Sequence, residues 1–444
     1  MTGRLRSHRN TFGPLGIACI AFAAVACGGN AAPPATAPHS AASTTAAAVG
    51  NSVPPSDTST ADPWTADLAY LDTQARSQHP SPFAVHPETE WVTRLAELRQ
   101  SLPTASDDER IVQLASLIAL LDTHSSFDGL TKPDGPLAFH FYQLQLYRFD
   151  EGWFVVRAKD PSLVGSQLVS IGGVPVADVV TKVSTLIPAD NPSGKSNGLD
   201  NWLTAVEYLH GLGIVKDPKV PQFVVRTANG QQITVNPGVS PDEMAWENDI
   251  GLASPPSGKA PEAIQRHGEA VWTRLDAATH TFLVSYNDYG DLPAAITDVK
   301  VALDSGAATR VVVDMRYLQG GNGSLANPLT SALNDQRINN SGKLVALIGR
   351  QNESAATELA AKLDHGTQAI LMGEPTPAMA DIFLCSCTEL QLPHSGYAVQ
   401  IPTTRSHNGD TRDAVAPDVL MAPSAVAYFA GTDPVLESAL QGNL

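Results

Sequence analysis

The sequence predicts a multi-domain α+β protein that ends in an α/β core with a largely parallel sheet, and three patterns carry that expectation. In residues 310–373, Val311-Val312-Val313, Leu344-Val345-Ala346-Leu347-Ile348 and Ala369-Ile370-Leu371-Met372 are apolar runs without alternation, as central strands covered on both faces require. Helix-forming stretches separate them. In residues 66–121 apolar side chains recur at helical spacing, and in residues 153–235 short β-like runs are broken by glycine turns.

At the amino end, Arg4, Arg6 and Arg9 precede an apolar stretch over residues 12–26, and Ala24-Val25-Ala26-Cys27-Gly28 fits a bacterial lipobox. The stretch is too short and too interrupted to span a bilayer. Residues 1–26 therefore read as a lipoprotein signal peptide, with Cys27 lipidated and the chain held at the extracytoplasmic face of the cell membrane. Its removal deletes three Arg and no acid, taking the formal charge from −17 to −20. So acidic a protein repels nucleic acid and meets a bilayer only through its lipid. Residues 27–62 are Ala, Pro, Ser and Thr with almost no large apolar side chain, which makes them a disordered tether.

Residues 63–135 form the expected helical domain, with helices over 66–77, 88–102 and 107–121. A β-rich region over 136–270 follows. Its signals are Trp153-Phe154-Val155-Val156, a strand, glycine turn and strand over 164–176, and a helix over 176–186. Phe223-Val224-Val225-Arg226 and Gln232-Ile233-Thr234-Val235 then flank Asn229-Gly230 as a hairpin. Residues 240–268 carry loop punctuation and no readable function. Residues 271–444 are the core, with a strand over 281–287 and a helix over 293–303 before the three apolar runs.

The chemistry should lie beyond the carboxyl ends of those runs, where ligands gather in open α/β sheets. The loops Asp314-Met315-Arg316-Tyr317-Leu318-Gln319-Gly320-Gly321-Asn322-Gly323 and Gly349-Arg350-Gln351-Asn352-Glu353-Ser354-Ala355-Ala356 should face one crevice. Ser354 opens a helical run, so its hydroxyl would sit among unpaired backbone N–H groups at the positive end of a helix dipole. The plain alternative is a capping serine. Ser331 also competes, in Thr330-Ser331-Ala332, but its place is mid-helix rather than beyond a strand. Asp314 and Arg316 read as a pair bracing the glycine loop. His365, His394 and His407 fall in separate loops without zinc-type spacing, and neither a phosphate-binding Walker loop nor a G-x-S-x-G elbow is present, so no metal or cofactor is expected. Cys385 and Cys387 leave a disulfide and two free thiols both open.

Taken in order, Asp314-Met315-Arg316, Gly320-Gly321, Ser354-Ala355, Gly373-Glu374-Pro375-Thr376, Pro417-Asp418 and Gly431-Thr432-Asp433-Pro434-Val435-Leu436 resemble the tail-specific, or C-terminal processing, serine peptidase family, in its tricorn-core and retinoid-binding-protein-repeat-like branch. The resemblance implies a small PDZ-like module within 136–270, whose edge could take a substrate strand, and a crotonase-like core over 271–444. It extends to His79-Pro80 and to Asp122-Thr123-His124, where it makes His124 the general base with Thr123 before it. Many members use a lysine after the serine. Here that neighbourhood holds none, and Lys362 lies roughly 12 Å along the helix from Ser354, which excludes a Ser–Lys dyad. The implied machinery is Ser354 as nucleophile, His124 as base, and the N–H groups of Gly320, Gly321 and Ala355 as oxyanion hole. Thr411 stands where the family has a Glu, so Asp410 or Asp413 would orient the base. The expectation is a serine peptidase acting on peptides or proteins; the alternative is a non-catalytic relative that binds peptides or a hydrophobic small molecule.

Overall fold

The computed structural model describes residues 62–127, 139–240, 260–290, 292–384 and 386–442. The signal segment, Cys27, nearly all of the tether and Cys385 lie outside the described residues. No described helix is long and apolar enough to cross a membrane.

Three helices lead: α1 (Pro63–Gln78), α2 (Glu88–Ser101) and α3 (Asp107–Ile118). Proline at the first position starts α1, and the Ser106 and Glu109 capping box starts α3. A small sheet follows in the order β1 (Leu144–Phe149), β2 (Gly152–Ala158), β3 (Gln167–Ile171), β4 (Phe223–Arg226) and β5 (Gln232–Val235), all antiparallel. Between β3 and β4 the chain inserts α4 (Val176–Ser184), α5 (Pro192–Trp202) and α6 (Val206–Gly211). The expected hairpin over 223–235 and the strand over 153–156 are present, whereas α5, α6 and β1 carry weaker periodicity and were not anticipated.

These parts do not close separate cores. Leu68, Leu98 and Leu117 from the helices, Val155, Leu168 and Phe223 from the small sheet, and Leu390 and Val399 from far downstream belong to one buried cluster. The last two lie on the hairpin of β6 (Thr388–Gln391) and β7 (Ala398–Ile401). The division at residue 135 therefore separates secondary-structure types, not hydrophobic cores.

The core sheet has the order 419–420, 370–373, 344–348, 310–314, 281–286, 271–276, and only its last pair is antiparallel. Alternate residues of its strands enter two different clusters. Val311, Val313, Leu344, Ala346 and Ile348 face one side; Val312, Val345, Leu347 and Met372 face the other. Helices cover both faces, which is why the runs lack alternation. On the first side lie Leu292–Asp304 and Ala355–Gly366; on the second lies Pro434–Gln441.

Candidate active site

Ser354 ends the loop after the strand Leu344–Ile348 and caps the helix Ala355–Gly366 with φ 51° and ψ −121°. A serine in the left-handed half of the map costs on the order of 1–3 kcal/mol and persists only where its surroundings impose it. Its side chain makes no capping hydrogen bond, so the plain N-cap role is not what is observed.

The surroundings are the glycine loop. A Cβ placed on Gly320 would lie 2.9 Å from Ser354 Cβ and 3.5 Å from its Oγ, and one on Gly323 would lie 3.2 Å from Ala355 Cβ. The two strand-end loops therefore do meet. Asn352, fully buried, ties them: its Nδ2 donates to the carbonyls of Met315 (2.5 Å) and Leu318 (2.8 Å), and its Oδ1 accepts from Gly349 N–H at 2.8 Å. The N–H groups of Gly320, Gly321 and Ala355 find no acceptor among the described residues. Donors left open beside a serine hydroxyl at a helix start are what a developing oxyanion needs.

Arg316 braces the same loop from behind. It pairs with Asp314 at 2.7 Å and with Asp433 at 2.6 Å. Asp433 also caps the last helix through Leu436 N–H. Two motifs more than a hundred residues apart are thus one ion cluster. Arg350 has a parallel role, bridging Asp200, Glu374 and the Arg148 carbonyl.

His124 comes from the other core. Its N–H donates to Asp122 Oδ1 at 2.8 Å, and Asp122, buried, is held in turn by His79 Nε2 at 2.5 Å. His124 Nδ1 is buried with no hydrogen-bond partner. Thr123 N–H donates to Asp190, and its hydroxyl accepts from Asp190 N–H at 2.9 Å and donates to the Pro377 carbonyl at 3.5 Å. Thr123 thus joins loops and makes no hydrogen bond to the His124 ring.

The bridge between His124 and Ser354 is residues 190–197, which the sequence reading passed over. Asp190 accepts from Thr123 and Met379, Asn191 donates to the carbonyls of Thr376 and Asp413, and Ser193 donates to Pro375. Asn197 Nδ2 donates to Glu353 Oε1 at 2.6 Å. Asp190-Asn191-Pro192 is a helix-start signal that could have exposed this segment. Burial raises the Asp190 carboxyl above its usual range, Asp122 adding to the rise while the two backbone donors and His124 oppose it.

The loop over 408–418 is placed differently from expectation. Asp410 is taken by Arg412 (2.6 Å) and by His365 (2.8 Å), and chiefly the Arg412 guanidinium holds its carboxyl far below the usual range. His365 ends the helix Ala355–Gly366 rather than lying in a loop. Asp413 and Thr411 are exposed. Ser331 is exposed on the helix Asn327–Leu333, its hydroxyl bonded back to the Asn327 carbonyl at 3.0 Å. Lys362 pairs with Glu358. Cys387 is in a disulfide, so for that thiol the free alternative is excluded, and its Sγ lies 3.9 Å from the His124 carbonyl. Among the described residues no three His, Cys, Asp or Glu side chains group as a metal site.

Neither a protein-family profile nor a curated protein matches the chain. Its likeness to solved structures is one of fold. Mature CPAF in complex with lactacystin aligns at TM-score 0.58 and 13% identity over 85% of this chain and 97% of that one. Mature CPAF alone aligns at TM-score 0.55 and 13% identity over 85% and 96%. The photosystem II D1 C-terminal processing protease aligns more loosely, at TM-score 0.38 and 15% identity over 84% and 98%. What the chain shares with CPAF at this level is the mixed α/β architecture.

Proposed function

We propose that this chain is a serine-type peptidase whose nucleophile is Ser354 and whose base is His124. Ser354 Oγ attacks a peptide carbonyl carbon while its proton passes to His124 Nε2. The new oxyanion accepts from the N–H groups of Ala355 and of Gly320 or Gly321, each donor worth on the order of 3 kcal/mol. Collapse breaks the C–N bond as the imidazolium returns the proton to the leaving amine, and water then clears the acyl group from Ser354 with the same base. The observation that carries this reading is the strained Ser354 backbone seated against Gly320, with open N–H donors beside it.

The substrate on this reading is a peptide or protein, and the small sheet is a PDZ-like module offering an edge strand. The chain is held extracytoplasmically through lipidated Cys27, with Cys27→Ser abolishing incorporation of an alkynyl fatty acid in cells. One observation favours a non-catalytic binder instead: the ring of His124 has no carboxylate hydrogen-bonded to it among the described residues. A fluorophosphonate probe decides between them. Labelling on Ser354, lost in Ser354→Ala and His124→Ala and kept in Ser331→Ala, supports the peptidase. No labelling of folded protein from about pH 6 to 9, where a histidine base is available, supports the binder.

A further inference from the structure

Resting on the Ser354–His124 reading, we propose that Glu353, the residue before the nucleophile, is the acid that holds His124 in its working tautomer, in place of any carboxylate of the loop over 408–418. A Ser–His pair needs a group that accepts from one ring nitrogen so that the other faces the serine as a base. His124 Nδ1 is buried and unpartnered, which costs free energy unless something meets it during turnover.

Three acids are tied to this histidine by hydrogen bond or charge, Asp122, Asp190 and Glu353, with His79 behind Asp122, and their hydrogen bonds sort them. Asp122 is committed to His79 and Ser125 through Oδ2 and to the His124 N–H through Oδ1. Asp190 takes Thr123 N–H on Oδ1 and Met379 N–H on Oδ2, each at 2.9 Å, and so fastens two loops. His79 is sealed in its pair with Asp122. Glu353 differs: Asn197 holds Oε1 at 2.6 Å, and Oε2 has no hydrogen-bond partner among the described residues. One open acceptor and one open ring nitrogen remain, and they complement each other.

Glu353 directly precedes Ser354, and Asn197, which holds it, lies on the same segment as Asp190, which bonds Thr123 beside His124. Burial raises the Glu353 carboxyl above its usual range, while the charge of His124 and the Asn197 N–H favour its ionised form. Catalytic hydrogen bonds that are open in a free enzyme tighten in the complex. Asp410, bound by Arg412 and His365, is not available for this work. No proton moves between Glu353 and His124; the carboxylate accepts from Nδ1–H and stabilises the imidazolium.

The test uses the purified full chain with Glu353→Gln and Asn197→Ala, each checked for folding by circular dichroism. Two measurements are made: fluorophosphonate labelling rate against pH, and the protonation of His124 by nitrogen-15 NMR. Glu353→Gln should slow labelling by roughly 10²- to 10⁴-fold, the cost of presenting the wrong tautomer. Its acid limb should move to lower pH, because removing a nearby negative charge makes the imidazolium easier to deprotonate. Asn197→Ala should fold whatever Glu353→Gln does, and should slow labelling by about tenfold, as for a lost orienting partner. In wild type the neutral His124 should carry its proton on Nδ1, and in Glu353→Gln this preference should weaken. Unchanged rate, acid limb and tautomer in both variants overturns the assignment, as does loss of labelling confined to Asp410→Asn. Absence of wild-type labelling with the NMR differences intact sinks the peptidase reading and leaves the Glu353–His124 pairing standing.

Discussion

A methyl group on Gly320 is the sharpest probe of the crevice. The Gly320 backbone does not need glycine for its φ, so Gly320→Ala acts through space alone. The added Cβ would sit 2.9 Å from Ser354 Cβ, 3.5 Å from Ser354 Oγ and 3.7 Å from the Glu353 carbonyl. The first contact is too short to survive, and ordinary contact at about 3.5–4 Å requires the glycine loop and Ser354 to part by roughly half an ångström or more. Overpacking of this size costs about 1–3 kcal/mol of stability. The larger effect is on chemistry, because displacing a nucleophile or an oxyanion donor by 1 Å costs about 10²-fold. Gly320→Ala should therefore label with fluorophosphonate roughly 10²- to 10³-fold more slowly while remaining folded at 25 °C, as followed by urea titration and probe kinetics. Gly321→Ala is the companion: its Cβ meets the Tyr289 ring at 2.6 Å, a side chain that Tyr289→Ala removes. A labelling rate for Gly320→Ala within threefold of wild type would refute the placement of this loop over Ser354.

Asn352→Ala leaves the Leu318 carbonyl and the Gly349 N–H unpaired and the Met315 carbonyl with the Leu318 N–H alone; it should lower unfolding free energy by about 2 kcal/mol or more in urea titrations, and a loss under 1 kcal/mol would contradict the bond pattern. Gly194→Ala points a Cβ at the Pro377 carbonyl, 2.5 Å away; α5 should lift from the loop over 375–379, with labelling and thermal stability falling together. Lys195 lines an open cleft of about 700 Å³ beside α2 and α3, and burial lowers its amine to about 8. At pH 8 it should be about half unprotonated, against less than one part in a hundred for an ordinary lysine, and so be acylated well before Lys300 in peptide mapping. Because the folded state binds this proton less tightly than the unfolded one, wild-type stability relative to Lys195→Met should fall as pH drops from about 10.5 to about 8. Equal acylation of Lys195 and Lys300 would show that the amine is not desolvated.

The parts legible in the sequence are those where one local rule decides. Val311 to Val313 and Leu344 to Ile348 lack alternation because both faces are covered, and the structure puts successive residues into opposite cores. Gly320 and Ser354 were placed together by a general property of parallel sheets, and they touch. What stayed hidden depends on long-range pairing. Asp410 looks available in a loop sequence, and only the fold brings His365 and Arg412 to it. Residues 190–197 have poor periodicity because their work is done by side-chain bonds to Thr123, Glu353, the loop over 375–379 and Asp413, which leaves no mark on an apolar pattern. Glu353 was read past as a neighbour of the serine, since nothing local reveals Asn197 on its carboxylate.

The β6–β7 hairpin bears on how the chain is made. Trp64, in the first helix, packs its ring 6.3 Å from that of Tyr397, and Phe127 stands 5.4 Å from the same ring. The leading helices thus lack part of their core until residue 401 exists. At the usual pace of synthesis, about 5–20 residues per second, that is a wait of roughly 15–60 s after α3 is made. Through that interval the amino-terminal third should stay incompletely packed and open to proteolysis. On the proposed Ser354–His124 reading, the same delay keeps the two residues apart until the polypeptide is nearly finished.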